Sequence, residues 1–103
     1  MPVTFQADQW LGNQWPSIDI MPVEAALYLP ILFHLSQAYQ FQMPAVTDIL
    51  DGYASDFMIG PIPAKMHIDN YTFSFTCADE ALRNRILGEL QILPSNFFDL
   101  PSA

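Results

Sequence analysis

Between Val23 and Phe41 the apolar side chains occupy more than one helical row, Leu27, Ile31 and Leu35 along one and Tyr28, Leu32 and Tyr39 along the next. A helix that is apolar on most sides is buried on most sides. This segment is therefore expected at the centre of the core or in a contact between copies of the chain. Pro22 suits its first turn, where a missing N–H costs nothing, and Glu24 suits the positive end of the helix dipole. Pro30 is expected to kink or split the helix about a turn and a half in. From Pro44 to Met58 the spacing is helical again, with Val46, Ile49, Leu50, Tyr53 and Phe57 on one stripe and Asp48, Asp51, Ser55 and Asp56 opposite. Gly60-Pro61-Ile62-Pro63 is expected to end it.

The period then changes to two. Lys65–Ile68 and Tyr71–Thr76, separated by Asp69-Asn70, predict a hairpin with Tyr71, Phe73, Phe75 and Cys77 on a buried face and Thr72, Ser74 and Thr76 on a polar one. Thr76 and Asp79 resemble a capping pair that opens a third helix through Leu90, with Leu82, Ile86 and Leu90 turned inward and Pro94 as its stop. Pro2–Gln6 is a candidate edge strand, and Trp10–Pro16 a loop that turns at Gly12-Asn13. The expected architecture is a small single α+β domain over residues 1–103. It has two N-terminal helices, the first kinked at Pro30, then a β-hairpin and a C-terminal helix, with 94–103 as a candidate mobile or docking tail.

Composition agrees with a folded chain: of 103 residues 51% are hydrophobic and only 14% are charged, against the ~25% charged of an ordinary soluble domain. So apolar a small protein is expected to cover part of its surface with a partner or a second copy of itself. The charge is one-sided, with eleven acids, three bases and a formal net charge of −8. No Lys or Arg precedes Lys65, whereas Asp8, Asp19, Glu24, Asp48, Asp51 and Asp56 do. Direct contact with nucleic acid or an anionic membrane needs clustered cations and is not expected. A basic protein partner is compatible. Cys77 is the only cysteine, so no internal disulfide forms. The first residues lack the basic and apolar regions of a signal peptide, and the longest apolar stretch is too short for a bilayer. A cytoplasmic protein is expected.

Few residues suggest chemistry. Cys77 falls where a strand meets a helix N-terminus, a place that favours thiolate, and His34 or His67 is a conceivable base. The same cysteine also continues the buried aromatic face, the commoner position for a free thiol. Two histidines and one cysteine at these spacings do not form a zinc pattern, and no glycine-rich phosphate loop is present. No metal or cofactor is expected. Asp48, Asp51 and Asp56 form an acidic stripe fit for solvent or for a basic partner. Trp10 and Trp15 suit either a binding surface or a lid over a small core.

The C-terminal run Gln91-Ile92-Leu93-Pro94-Ser95-Asn96-Phe97-Phe98 resembles the box by which proteins bind the sliding clamps of DNA replication. The Gln and both Phe match in spacing, while Pro94 stands at the aliphatic anchor and Leu93 one place early. The resemblance implies a helical turn that inserts Phe97 and Phe98 into a partner's pocket. The competing expectation is that Phe97, Phe98 and Leu100 fold back onto the core. Taken together, these features predict a non-enzymatic protein-binding role, as an acidic inhibitor, immunity factor or adaptor on a basic partner through Asp48, Asp51, Asp56, Trp10, Trp15, Phe97 and Phe98. The alternatives are an assembly subunit or homodimer that associates through Tyr28, Leu32 and Tyr39 of helix 23–41, a sliding-clamp ligand through 91–98, and a small cysteine-dependent enzyme.

Overall fold

Alternation at period two governs far more of the chain than the Tyr71–Thr76 region. In the computed structural model, which describes residues 2–94 and 96–98, six strands form one antiparallel sheet in the order β1-β2-β6-β5-β4-β3. The strands are β1 (Thr4–Gln9), β2 (Pro16–Met21), β3 (Thr47–Ile49), β4 (Gly52–Ile59), β5 (Ile62–Ile68) and β6 (Phe73–Cys77). A single 3₁₀ turn, Ala25–Leu27, leads into α1 (Tyr28–Tyr39), and α2 (Glu80–Gln91) follows β6. The register places Ile18, Phe75, Met66 and Ser55 in one row across four strands, with Phe5 opposite Ile20 and Phe73 opposite Ile68. These positions share one face, and with Ile31, Leu32 and Leu35 of α1 and Ile86 and Leu90 of α2 they form the core.

Two expectations about helices are corrected. The chain does not have two N-terminal helices: residues 44–58 contain the β3–β4 hairpin instead. The stripe Val46, Ile49, Leu50, Tyr53, Phe57 fits a helix on paper, but Leu50 is fully exposed at the tip of the hairpin. Tyr53, Ser55, Phe57 and Ile59 alternate with Ala54, Asp56 and Met58, and β4 is held at seven registered positions by β5. Ser55 at an inward position disguised that alternation. Gly60 and Pro61, expected as a helix stop, are the two-residue turn between β4 and β5, with Gly60 at φ 57°. A glycine at positive φ followed by proline has the sign pattern of a type II′ turn, whose twist matches a hairpin.

The kink at Pro30 is the second correction. Because α1 begins at Tyr28, Pro30 lies in its first turn, where the N–H has no intrahelical partner to lose. At the other end Gln40 adopts the left-handed conformation (φ 55°) and closes α1 with its N–H on the Ser36 carbonyl. The 65–68/71–76 hairpin is present as β5 and β6, with β5 starting three residues earlier, at Ile62. Asp69 Oδ1 shapes its turn by accepting from the N–H groups of Tyr71 and Thr72 at 2.8 and 2.7 Å.

Both helices lie on the apolar face. Tyr28 anchors α1: its buried hydroxyl is 3.0 Å from the Met66 carbonyl oxygen and 2.8 Å from Ser55 Oγ. It donates to the first and accepts from the second, so three buried polar groups satisfy one another. Tyr39 ties α1 to α2 through a hydrogen bond to the Glu89 carboxylate, with the Arg85 guanidinium over its ring. The end of the described chain folds back. Phe98 is 7% exposed and meets Phe5 edge to face, Phe97 remains 49% exposed, and both rings flank His34. Leu100, expected to fold back with them, lies outside the described residues, as does most of the expected tail 94–103.

Gly52 and Gly88 offer a matched stability test. A Cβ on Gly52 would stand 1.8 Å from the Ile68 carbonyl oxygen, whereas one on Gly88 in α2 would meet nothing within 4 Å. Gly52→Ala is expected to lower stability by about 2 kcal/mol or more, through forced displacement of β5. Gly88→Ala is expected to raise it by about 0.5–1 kcal/mol, through helix propensity. Urea unfolding midpoints of the two variants check both signs.

Candidate functional site

The sheet has a second face that neither α1 nor α2 covers. In the register Gln6, Asp19, Ser74, His67 and Ala54 form one row across it, and Asp8, Ser17, Thr76, Lys65 and Asp56 form the next. Such a face would ordinarily be open to water, yet Ser17, Ser74 and Thr76 are buried. The loop between β1 and β2 explains this. Its ends are joined by the Trp10 N–H to the Trp15 carbonyl at 2.8 Å, and Asn13 Oδ1 caps the Trp15 N–H at 2.9 Å. Gln14 takes a positive φ of 60°. The loop so formed carries the Trp10 ring over the polar face to meet His67 edge-on, 5.3 Å between centroids.

Beneath it is a recess of about 340 Å³, lined by Asp8, Gln9, Trp10, Leu11, Gly12, Ser17, Asp19, Thr72 and Ser74. That is the lower end of the size range of small-ligand sites. Two of the hydroxyls on this face are used inside the fold: Thr76 Oγ1 donates to the Pro16 carbonyl at 2.9 Å, and Thr72 Oγ1 to Asp69 Oδ1 at 3.1 Å. Ser74 differs. Its residue is 5% exposed and its Oγ has no hydrogen-bond partner among the described residues. Asp19 lies directly across from Ser74 on β2. Burial, and after it the negative charge of Asp8, push the Asp19 carboxyl above the usual range.

His67 Nε2 stands 2.9 Å from Asp69 Oδ2. Ser74, His67 and Asp69 therefore follow one another across β6, β5 and the turn, in the residue types of a hydrolase triad. The geometry is not that of one, because the unpartnered Ser74 Oγ lies outside hydrogen-bond reach of His67. Cys77 is fully buried on the apolar face, its Sγ 3.3 Å from the Asp79 carbonyl oxygen, and burial pushes the thiol up rather than down. That is the reverse of an activated nucleophile. Among the described residues no group of three or more His, Cys, Asp or Glu side chains is placed to hold a metal.

The residues singled out in the sequence are dispersed. Trp10 is in the recess, and Trp15 closes the base of its loop. Asp48 and Asp51 are on and beside β3, at the far edge of the sheet, while Asp56 on β4 is 3.7 Å from Lys65 Nζ. Tyr28 and Leu32 are buried under α1 and present no surface to a second copy. In the clamp-like segment, the Gln91 side chain donates to the Phe5 carbonyl at 2.9 Å and Phe98 is packed, which leaves Phe97 as the half-exposed member. Asp8, Asp19 and Ser74 were not singled out. The signal available for them was alternation, which puts Ser74 on the face opposite Phe73 and Phe75, but the pairing of Ser74 with Asp19, 55 residues earlier, cannot be read from one sequence. A second recess, of about 350 Å³, is lined by Val3, Phe5, Leu90, Leu93 and Phe98 together with Thr4 and Gln91, and holds no orphaned polar side chain among the described residues.

No protein family matches the chain, and no curated protein or solved structure is significantly similar to it. No helix among the described residues is long and apolar enough to cross a membrane.

The Asp69 turn yields a pH prediction. The hydrogen bond from His67, and those from Tyr71, Thr72 N–H and Thr72 Oγ1, hold its carboxyl well below the usual carboxylate range against a smaller opposing effect of burial. A depressed folded-state value means stabilisation that is complete above the unfolded value of about 4 and is lost as pH falls through the folded one. Asp69→Asn is expected to cost about 1–2 kcal/mol near neutral pH, with the gap to wild type narrowing on acidification below about pH 4. Urea midpoints across that range check it.

Proposed function

We propose that the protein acts by reversible binding rather than by chemistry on a substrate, and that the recess between the Trp10 loop and the polar face of the sheet is where it binds. The observation that carries this is Ser74 Oγ. A buried, unpaired hydroxyl costs about 1–3 kcal/mol, and one that the fold does not need is kept at a binding site more readily than elsewhere. Trp10 supplies a large apolar contact beside it, and Asp8 and Asp19 supply charge. The excess of acids over bases suits a basic protein partner, for which the protein would serve as inhibitor, immunity factor or adaptor. A cytoplasmic setting accords with a single cysteine that is free and buried.

A second reading rests on a different surface. Leu29 and Phe33 are exposed on the outer side of α1, 55% and 54%, and the half-exposed Phe97 abuts His34 of the same helix. Self-association through that side, in place of Tyr28 and Leu32, would cover them. Light scattering on a sizing column is expected to give a dimer that Phe33→Asp converts to monomer. A monomeric wild-type protein at high concentration removes this reading.

For the recess, Ser74→Ala is expected to raise the thermal midpoint by a few degrees, about 1 kcal/mol of relief. In a Trp15→Phe background Trp10 reports alone. Its fluorescence is expected to respond saturably to at least one of butanol, butyramide, butyrate and butylammonium, and the response is expected to weaken with Ser74→Ala. A lowered midpoint in Ser74→Ala, or no saturable response to any probe, overturns the assignment.

A further inference from the structure

We propose that the group bound in the recess is an alkylammonium head on an apolar stem, an inference that rests on the binding reading above and gives its ligand a chemical class. The lining divides by chemistry. Trp10, Leu11 and Gly12 form an apolar wall on the loop side, and Asp8, Asp19 and Ser74 supply the acceptors on the sheet side. Asp19 and Ser74 are directly cross-strand, and Asp8, whose partner is Ser17, is one diagonal from Asp19. One Asp8 oxygen already accepts the Gln9 N–H at 2.8 Å, which leaves its second oxygen and the whole Asp19 carboxylate available.

An ammonium brings three donors and no acceptor, so it can address two carboxylates and the orphaned Ser74 oxygen together. An anion would meet two like charges. A neutral alcohol has one proton to donate and would leave one of the two carboxylates unpaired. A hard divalent ion is poorly served, because two carboxylates and a hydroxyl fall short of the six or more oxygens such ions collect, and half of the wall is apolar. The Trp10 face favours a cation with a methylene stem, by packing and by cation–π attraction.

The Lys and Arg side chains do not fill this role. Ion pairs among the described residues join Lys65 to Asp56 and Arg85 to Glu89, His67 is hydrogen-bonded to Asp69, and none of these reaches Asp8 or Asp19. Arg83, the nearest basic side chain on α2, is spent on the main-chain carbonyls of Asp8 and Ser17, each 2.9 Å from Nη1, and on Asn84 Oδ1. It fixes the end of the β1–β2 hairpin from outside the recess.

The test is titration of the Trp15→Phe protein with butylammonium, butanol and butyrate, followed by Trp10 fluorescence and by the amide resonance of Ser74. Butylammonium is expected to bind at least about tenfold more tightly than either isostere, and to weaken with added salt. Asp19→Asn is expected to remove about tenfold or more of that preference, as is Asp8→Asn should Asp19→Asn impair folding. If butanol binds as well as butylammonium and depends on Ser74, the recess is a binding site but the cationic class is wrong. If none of the three binds and butyramide fails as well, both readings fall. Two sources can present the group, a free amine or a lysine side chain of a protein. A short extended peptide with one central lysine separates them: tighter binding than Nα-acetyl-lysine methylamide indicates a protein partner, and equal binding a free amine.

Discussion

Tyr28 holds the two layers of this protein together, and much else follows from where its hydroxyl ends. A phenol at the first position of α1 reaches through the apolar core to the Met66 carbonyl of β5 and to Ser55 of β4. That contact fixes α1 against the sheet, where Ile31, Leu32 and Leu35 join Phe73, Phe75 and Met66 in one core. It also permits a serine within an inward row. Without the tyrosine, Ser55 Oγ would be a buried orphan, at a cost of about 1–3 kcal/mol. The second helix then has a defined place beside the first, secured by Tyr39, Glu89 and Arg85 at their facing sides.

Commitment of both helices to one face leaves the other to be managed by side chains and a single loop. The polar rows of β2, β5 and β6 are partly buried by the β1–β2 connection, because Trp10 lies across them onto His67. A loop that covers polar groups without pairing all of them is a poor way to gain stability. It does make a small, partly covered pocket in which the few polar groups left are strong partners for a ligand. Ser55 and Ser74 illustrate the difference: each is a buried serine in the middle of the sheet, one paired through the core by Tyr28 and the other left open beneath the loop.

What the sequence disclosed, and what it hid, follows from the reach of each signal. The Phe73–Cys77 alternation, the Asp69 turn and the α2 segment are local, and single-chain periodicity found them. Residues 44–58 were misread because five apolar positions satisfied the helical period while Ser55 masked the strand period. The information that decides between them lies in seven pairings with β5. Pro30 was expected to kink the helix because the start of α1 was placed several residues too early, which moved the proline from the first turn to the interior. The recess was the least legible feature. Trp10 stood out by residue type. Ser74 and Asp19 are ordinary polar positions until the sheet order places β2 beside β6, and no periodicity encodes that order.

Charge brings the two faces into one account. The sequence has three Lys and Arg side chains, and the structure uses every one internally. Lys65 lies against Asp56, Arg85 against Glu89 and the Tyr39 ring, and Arg83 against two carbonyls at the end of the hairpin. Among the described residues, none of the three is paired with Asp8 or Asp19. For exposed carboxylates such as Asp48 and Asp51 pairing matters little, since water and salt screen them. For Asp19 it matters more, because burial and Asp8 both raise the cost of its charge. Protonation would relieve that cost in acid, while at neutral pH an external cation relieves it without loss of the charge. On the binding reading proposed above, the shortage of bases leaves one partly covered carboxylate to be met by a cation from outside the fold.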